Sequence, residues 1–558
     1  MNQPNPVTQS ERRWVLKLAL ALALLILLPY LLAYAYEGES WRFTGFLIAV
    51  EDGNSYMAKM LGGTYGAWLF RTPYTTIAQR GIFLYPIYLL LGKLASPPGV
   101  HEQLVALFHL FRILAALLMT LATYDFIACF VRSVKIRRFA TLLALLGGGL
   151  GWVLTVLGYS EWLGSLPLEY YSPETFGFLS LFGLPHLALA RALLLWGLVI
   201  LLRAVLDPRA GWVQPGLRIG LLGLLCGLSQ PMTGMLALAL AGLYILALGL
   251  WYRLAPARAS WANWRRMLKL VILAGVFSIP LAGYNLYTML ADPFLQAWTV
   301  QNWLPSPNPL HYLLAYGPVI PYAWFGWKAL RQAIPEWAVF ATSWILILPV
   351  LAYIPFNLQR RLVEGGWVLL VALAALGLEK LLAKPVLHAS PGRRLWVQLP
   401  LFLAFPSTVI LFAGAVLTAT QLRQPIFRPV DEVTLFNRLA AEAQPGQVML
   451  ADYPTGNALP AWAPLRVVIG HGPETIGLAE LRPQVTRFYE AGTTDMGRQA
   501  LLQNQSVDYV FFGPHERALG GSHAWDPSLA GYLALWMTEG EYAVYRVLHP
   551  VTASEVSP

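Results

Sequence analysis

The chain has 558 residues, of which 57% are hydrophobic and 12% charged, with a mean hydropathy of +0.54. Soluble domains carry roughly 25% charged residues, so an ordinary soluble enzyme is excluded, and apolar runs of roughly 18 residues or more exclude a β-barrel, whose strands alternate over about ten. The net charge of +10 does not indicate nucleic acid, because the basic residues gather in short loops between apolar runs, where the positive-inside rule expects them.

The first apolar run covers 14–35. Ala33-Tyr34-Ala35 resembles a signal cleavage site, but the run is too long for a signal peptide and more spans follow, so it reads as a retained anchor. Arg12 and Arg13 precede it and place the N-terminus in the cytoplasm. The basic run 132–138 belongs on the same side. Two apolar segments, 81–97 and 103–131, lie between these points, and if both crossed, the basic run would fall outside. The segment 81–97 (GIFLYPIYLLLGKLASP) holds Lys93 and leads into Pro97-Pro98, so it reads as an interfacial helix. Residues 36–102 then form one large outer loop, and 103–131 is the second span.

The same rule predicts spans at 139–159, 183–203, 217–230, 232–252, 268–290, 311–329, 336–357, 366–382 and 396–420, about eleven in all. The run 217–230 is short and ends at Gln230-Pro231, as a broken helix would. Cys129 and Cys226 both lie in apolar runs, with no disulfide framework and no CxxC. The fold expected is an α-helical polytopic membrane protein over 1–422, followed from 423 to 558 by a soluble extracytoplasmic α/β domain. Predicted strands there are 446–451, 465–469, 507–512 and 541–547, alternating with helices at 430–443, 477–490 and 495–504. No nucleotide-binding glycine motif marks this region.

Polar residues beside spans are costly, so their grouping is informative. Four groups fall on the outer side. The loop 36–102 holds Glu51, Asp52, Tyr56 and Lys59, in EDGNSYMAKM. The second group holds Glu174 and His186, and the third lies at 291–312. The fourth is NLQRRLVE, with Gln359, Arg360, Arg361 and Glu364. Two adjacent arginines between two spans, on the side that disfavours positive charge, are either snorkelling side chains or an anion site at headgroup level. His109 and Arg112 are three residues apart and share a helix face. They either pair with another span or line a cavity, and His186 with Arg191 admits the same two readings. Glu51-Asp52 stands out in a chain with only 29 acids; helix capping would account for one acid more readily than for two. His471, Glu474, His515 and Glu516 fall near predicted strand ends, as a site or as scattered surface polarity.

The layout of acid pair, interfacial helix, arginine near the start of the second span and outer C-terminal domain resembles the GT-C superfamily of membrane glycosyltransferases, which includes protein O-mannosyltransferases and aminoarabinose transferases. The segments EDGNSYMAKM and PFNLQRRLVEG also resemble those of bacterial polytopic proteins with this layout. The resemblance implies Asp52 as catalytic base with Glu51 beside it, and Glu174 in YYSPETF as the assisting acid. Arg360 and Arg361 would be donor-phosphate ligands, with Lys59 and Arg112 (in FRILAALL) as further cations. Tyr56, His109, His186, Gln359 and Glu364 would line the substrate site.

The expected activity is inverting transfer of a sugar from a polyprenyl-phosphate donor to a lipid, glycan or protein acceptor on the outer face of the cytoplasmic membrane. No cofactor is implied outright; a divalent metal fits such enzymes, but no DxD motif is present. Two other classes remain open from sequence: a lipid-linked saccharide transporter, although no internal repeat is visible, and a non-catalytic scaffold whose outer domain binds a partner.

Overall fold

The computed structural model describes residues 6–548 apart from 208, 210, 386–390 and 522–524. Residues 549–558 of the expected C-terminal domain lie outside the described residues. Among the described residues, seven helices are long and apolar enough to cross a membrane: Gln9–Tyr36 (α1), Val100–Phe130, Pro185–Leu206, Pro231–Leu254, Trp261–Ala291, Pro335–Tyr353 and Gln359–Leu382. A further apolar pair, Gly392–Phe402 and Pro406–Ala419, is bent by 48° at its break, as a broken span or a re-entrant loop would be.

The expectation of about eleven spans is corrected at three segments. The run 139–159 is interrupted: one helix, Val134–Leu146, stops at Gly147 and the next, Gly151–Val156, is six residues long. Three consecutive glycines, 147–149, remove the side chains that would carry a helix through. The run 311–329 splits into Pro309–Tyr316 and Ile320–Ala333. The run 217–230 is the 17-residue helix Val213–Ser229, and Pro231 opens the next one.

The chain forms two compact units, Met1–Leu28 with Leu110–Leu290 and Trp303–Leu417, and Pro29–His109 with Ala291–Asn302 and Thr418–Pro558. In the first, the helix Gly366–Leu382 is buried almost throughout. Its Gly377 meets Gly326 of Ile320–Ala333, and a Cβ on either would run into the other helix's backbone, so these two helices approach as closely as small residues allow. In the same unit, Arg137 pairs with Glu11 at 2.7 Å and Arg12 with Asp125 at 2.7 Å, and Tyr124 donates to Glu11.

The second unit is built on a mixed five-stranded sheet, with strands β3 (Val448–Leu450), β4 (Arg466–Val467), β5 (Tyr509–Phe512), β6 (Leu533–Glu539) and β7 (Tyr542–Val547) in the order β4-β3-β5-β7-β6. The first three run parallel and the last two antiparallel to their neighbours. All four predicted strands and all three predicted helices are present; β6 was missed. Val448, Leu450, Val468, Ile469 and Val510 pack with Val485, Phe488 and Leu502 of the covering helices to form the core. A separate ribbon pairs β1 (Trp41–Phe43) antiparallel with β2 (Phe427–Pro429).

The large loop 36–102 belongs to this same unit. It holds a 15-residue helix, α2 (Val50–Thr64), and a short one, α3 (Pro86–Gly92). The interfacial helix expected over 81–97 is thus only seven residues long. It crosses α2 where Gly63 faces Leu89 and Gly92 faces Met60, with backbone too near for any Cβ.

Candidate functional site

The acid pair opens α2. Ala49 is the N-cap, with φ +47° and no side-chain capping bond, so neither acid caps the helix. Glu51 and Asp52 are the second and third residues of its first turn, where the partial positive charge of a helix start favours carboxylates. A left-handed alanine costs about 1 kcal/mol or more, and such strain is held only where the surroundings fix it.

The surroundings come from the loop after β4, residues 470–477. Gly472 N donates to Glu51 Oε1 at 2.8 Å, and so does the Tyr453 hydroxyl. His471 is buried, and its Nε2 lies 3.5 Å from Asp52 Oδ1, while the Asp52 side chain is 55% exposed. Glu474 is buried and accepts from Lys59 Nζ at 2.6 Å, from Ser55 Oγ at 2.7 Å and from Thr72 Oγ1. Gln301, at the end of the helix Pro293–Gln301, fastens the loop by donating to Thr475 O and accepting from Gly477 N. Asn54 donates to Asn457, and the Tyr74 hydroxyl to the Asn457 carbonyl.

The charges of this cluster settle each other. Burial opposes ionisation of Glu474, but Lys59 and His471, with the Lys59 and Thr72 hydrogen bonds, hold it down at about 2. Burial likewise opposes the His471 cation, and is outweighed by Glu474 and Asp52, so the imidazole stands above its ordinary 6.5. Lys59 sits over the rings of Tyr85 and Phe70, at 4.6 and 5.1 Å, with its side chain 1% exposed. Lys59, expected as a phosphate ligand, is thus a buried ammonium bound to Glu474 and Ser55. Tyr56 stacks on Tyr88 with centroids 4.7 Å apart, and His109 lies edge-on to Tyr30.

The remaining expected site residues lie in the other unit. Arg360 is buried in the turn Gln359–Val363, its guanidinium 4.6 Å over the Tyr171 ring. Arg361 is partly exposed, with Nε 3.7 Å from Glu174 Oε1, so Glu174 is brought to an arginine. Gln359 faces Ile354 O and Ser306 N. Glu364, expected to line the substrate site, is fully buried in an ion pair with Arg191. Arg191 also donates to the carbonyls of Pro173, Glu174 and Phe176. Gly365 follows at φ +78° and turns the chain into the central helix, a conformation that favours glycine. Arg112, expected as a further cation at the donor phosphate, is buried and donates to the carbonyls of Ile26 and Phe182. His186 is half-buried, and its carbonyl accepts from Ser229.

Sequence reasoning missed Tyr453 and Asn457; it grouped Gln301 and Tyr74 with the outer polar residues without giving them a role, and it left His471 and Glu474 as a site or as scattered surface polarity. Both are buried. Their position just beyond a parallel strand's carboxyl end was the available signal, since open α/β sheets place sites there. Glu516, beyond β5, is also fully buried and accepts from Asp452 N and Gly513 N; burial pushes its carboxyl up to about 7. Among the described residues, no group of three or more His, Cys, Asp or Glu is arranged to hold a metal ion.

No protein-family model matches this sequence, and no curated protein is significantly similar to it. Solved structures are. The apo oligosaccharyltransferase of Archaeoglobus fulgidus superposes with a TM-score of 0.54 over 94% of this chain and 73% of its own, at 14% identity. ArnT of Cupriavidus metallidurans in the apo state superposes with a TM-score of 0.51 over 99% of this chain and 100% of its own, at 15% identity. At such identities the likeness speaks of fold alone: along nearly its whole length the chain shares the fold of these two solved structures.

Proposed function

We propose that the protein is a glycosyltransferase that moves a sugar from a polyprenyl-phosphate donor to an acceptor hydroxyl at the extracytoplasmic face, with inversion. The observation that carries this reading is the half-exposed Asp52 carboxylate, fixed at the start of α2 within a GT-C fold. In the reaction, Asp52 takes the proton of the acceptor hydroxyl as its oxygen bonds to the anomeric carbon. The bond from that carbon to phosphate oxygen breaks, and polyprenyl phosphate leaves with the electron pair. Phosphate is a good leaving group, so no second carboxylic acid is required, unlike in glycoside hydrolysis.

Arg360 and Arg361 are assigned to the donor phosphate. Guanidinium groups bind phosphate through paired N–H donors, and Arg361 keeps 27% of its side chain exposed. Glu174 is assigned to holding Arg361 in place. The N-terminus is assigned to the cytoplasm and the C-terminal α/β region to the outside, following the basic loops. Lipid, glycan and protein hydroxyls are all chemically adequate acceptors.

The test is mass spectrometry of the protein purified from its own membranes. A co-purified polyprenyl-phosphate sugar, lost in the double variant Arg360→Ala/Arg361→Ala, is the expected result. Equal donor retention by that variant removes the arginines from the site.

A further inference from the structure

We propose that His471, carried on the loop after β4, is a positioning residue for the Asp52 carboxylate: a cationic imidazole that holds the base ionised and fixes its orientation. This rests on the assignment of Asp52 as the base.

The loop is built to present this one ring. Both Gly470 N and His471 N donate to Thr475 Oγ1 at 3.2 Å, and Thr475 N returns to His471 O at 2.9 Å. Gln301 and Glu51 bind the backbone on either side, at Gly472, Thr475 and Gly477. The imidazole is left 4% exposed, and neither ring nitrogen has a hydrogen-bond partner. Leaving a buried polar group unsatisfied costs about 1–3 kcal/mol, so a merely structural histidine would be replaced at a gain. Asp52 Oδ1, 3.5 Å from Nε2, is one short movement from a bond. Catalytic hydrogen bonds are often long before substrate arrives.

The charged surroundings select the cation. Beside the ring stand Asp52 and Lys59 of α2, Glu474 of the same loop and the Tyr74 ring, while Glu51 and Tyr453 meet at the neighbouring Gly472. Glu474 and Asp52 are the two carboxylates that favour the imidazolium, and Asp52 is the one whose oxygen lies against Nε2. His471 gives up no proton in the reaction: the acceptor's proton goes to Asp52, and the imidazolium guards the ionised form that can receive it.

The sign follows. The competent state has His471 protonated and Asp52 ionised. Turnover therefore falls on the acid side as Asp52 gains a proton, and on the alkaline side as His471 loses its own. His471→Gln keeps a donor but cannot titrate, so it should abolish the alkaline limb, move the acid limb upward, and lower kcat roughly 10- to 100-fold. KM for the donor should be unchanged.

The experiment follows polyprenyl-phosphate release from a polyprenyl-phosphate hexose, in membranes bearing the full chain, between about pH 5 and pH 9. Wild type, Asp52→Asn and His471→Gln are compared, and thermal unfolding confirms that each variant folds. In parallel, ring-labelled histidine NMR of the purified chain follows His471; its pKa should fall in Asp52→Asn. Wild-type kcat and pH profile in His471→Gln, with Asp52→Asn inactive, would overturn the positioning role alone. A His471 titration indifferent to Asp52→Asn would do the same without any substrate. Absence of turnover by the wild-type chain would overturn the glycosyltransferase reading and this inference with it.

Discussion

Glu474 shows how one buried residue can organise a whole site. It is fully enclosed, yet it holds an ammonium and two hydroxyls, and its nearest further cation is the His471 imidazole. Removing one partner of a buried ion pair strands the other, at about 3–5 kcal/mol, whereas replacing both with apolar groups is often neutral. Lys59→Met should therefore lower the thermal unfolding midpoint markedly, and Lys59→Met/Glu474→Leu should recover a substantial part of the loss. Equal midpoints for wild type and Lys59→Met would show that the pair carries no stability.

Glu516 supplies a pH dependence of definite sign. Its folded-state carboxyl is raised from 4.5 to about 7, so between these values the folded chain keeps a proton that the unfolded chain has released. Stability must then fall as pH rises through that window. His471, also raised, acts in the same direction at higher pH. Glu474, held at about 2, acts in the opposite direction, but only below its ordinary 4.5. The unfolding midpoint in detergent should thus drop between about pH 5 and pH 8, and Glu516→Gln should flatten the drop. A midpoint that rises over that range would contradict the assignment.

At the scale of elements, α2 is set by its ends rather than by its propensity. It starts on a left-handed alanine and contains three glycines, Gly53, Gly62 and Gly63. Two of the contacts that hold it need glycine: Gly53 lies against the Phe46 ring, and Gly63 against the Leu89 backbone. Ala49→Gly removes the penalty at φ +47° and should leave stability unchanged or raise it by up to about 1 kcal/mol. Gly92→Val, on α3, places side-chain atoms where Met60 has its backbone and should lower the unfolding midpoint by the largest margin of any substitution named here. A tolerated Gly92→Val would mean that α3 is free to move off α2.

Elements were legible where a period or a breaker marks them. The alternation of apolar runs in the C-terminal region located four strands and three helices of the sheet to within about two residues. The length of the apolar runs located the long helices. The broken segments were harder to read, because hydropathy averaged over a window ignores what three glycines at 147–149 do to a helix. The strand β6 was missed because its apolar residues do not alternate with polar ones: Leu535 is exposed, and the register shifts between Leu535 and Met537.

For the whole molecule, the part of the site that lies close in sequence was legible and the part assembled by folding was not. Glu51 and Asp52 stood out by composition alone. Their partners did not: Lys59 and Glu474 are 415 positions apart, and Gly472 is 421 from Glu51. No periodicity links such residues, and only closure of the second unit around the loop 36–102 brings them together. Arg360 and Arg361 stood out as anomalous charge, and so did Lys59, Arg112 and Glu364, for which folding supplies buried partners.

The central claim is that Asp52 is the base of a glycosyl transfer, and it is tested most directly by turnover of a polyprenyl-phosphate hexose by the wild-type chain and by Asp52→Asn. Asparagine keeps the side chain's size but cannot take a proton. The account predicts a folded variant with the same unfolding midpoint within a few degrees and turnover reduced roughly 100-fold or more. Full turnover by Asp52→Asn would contradict it.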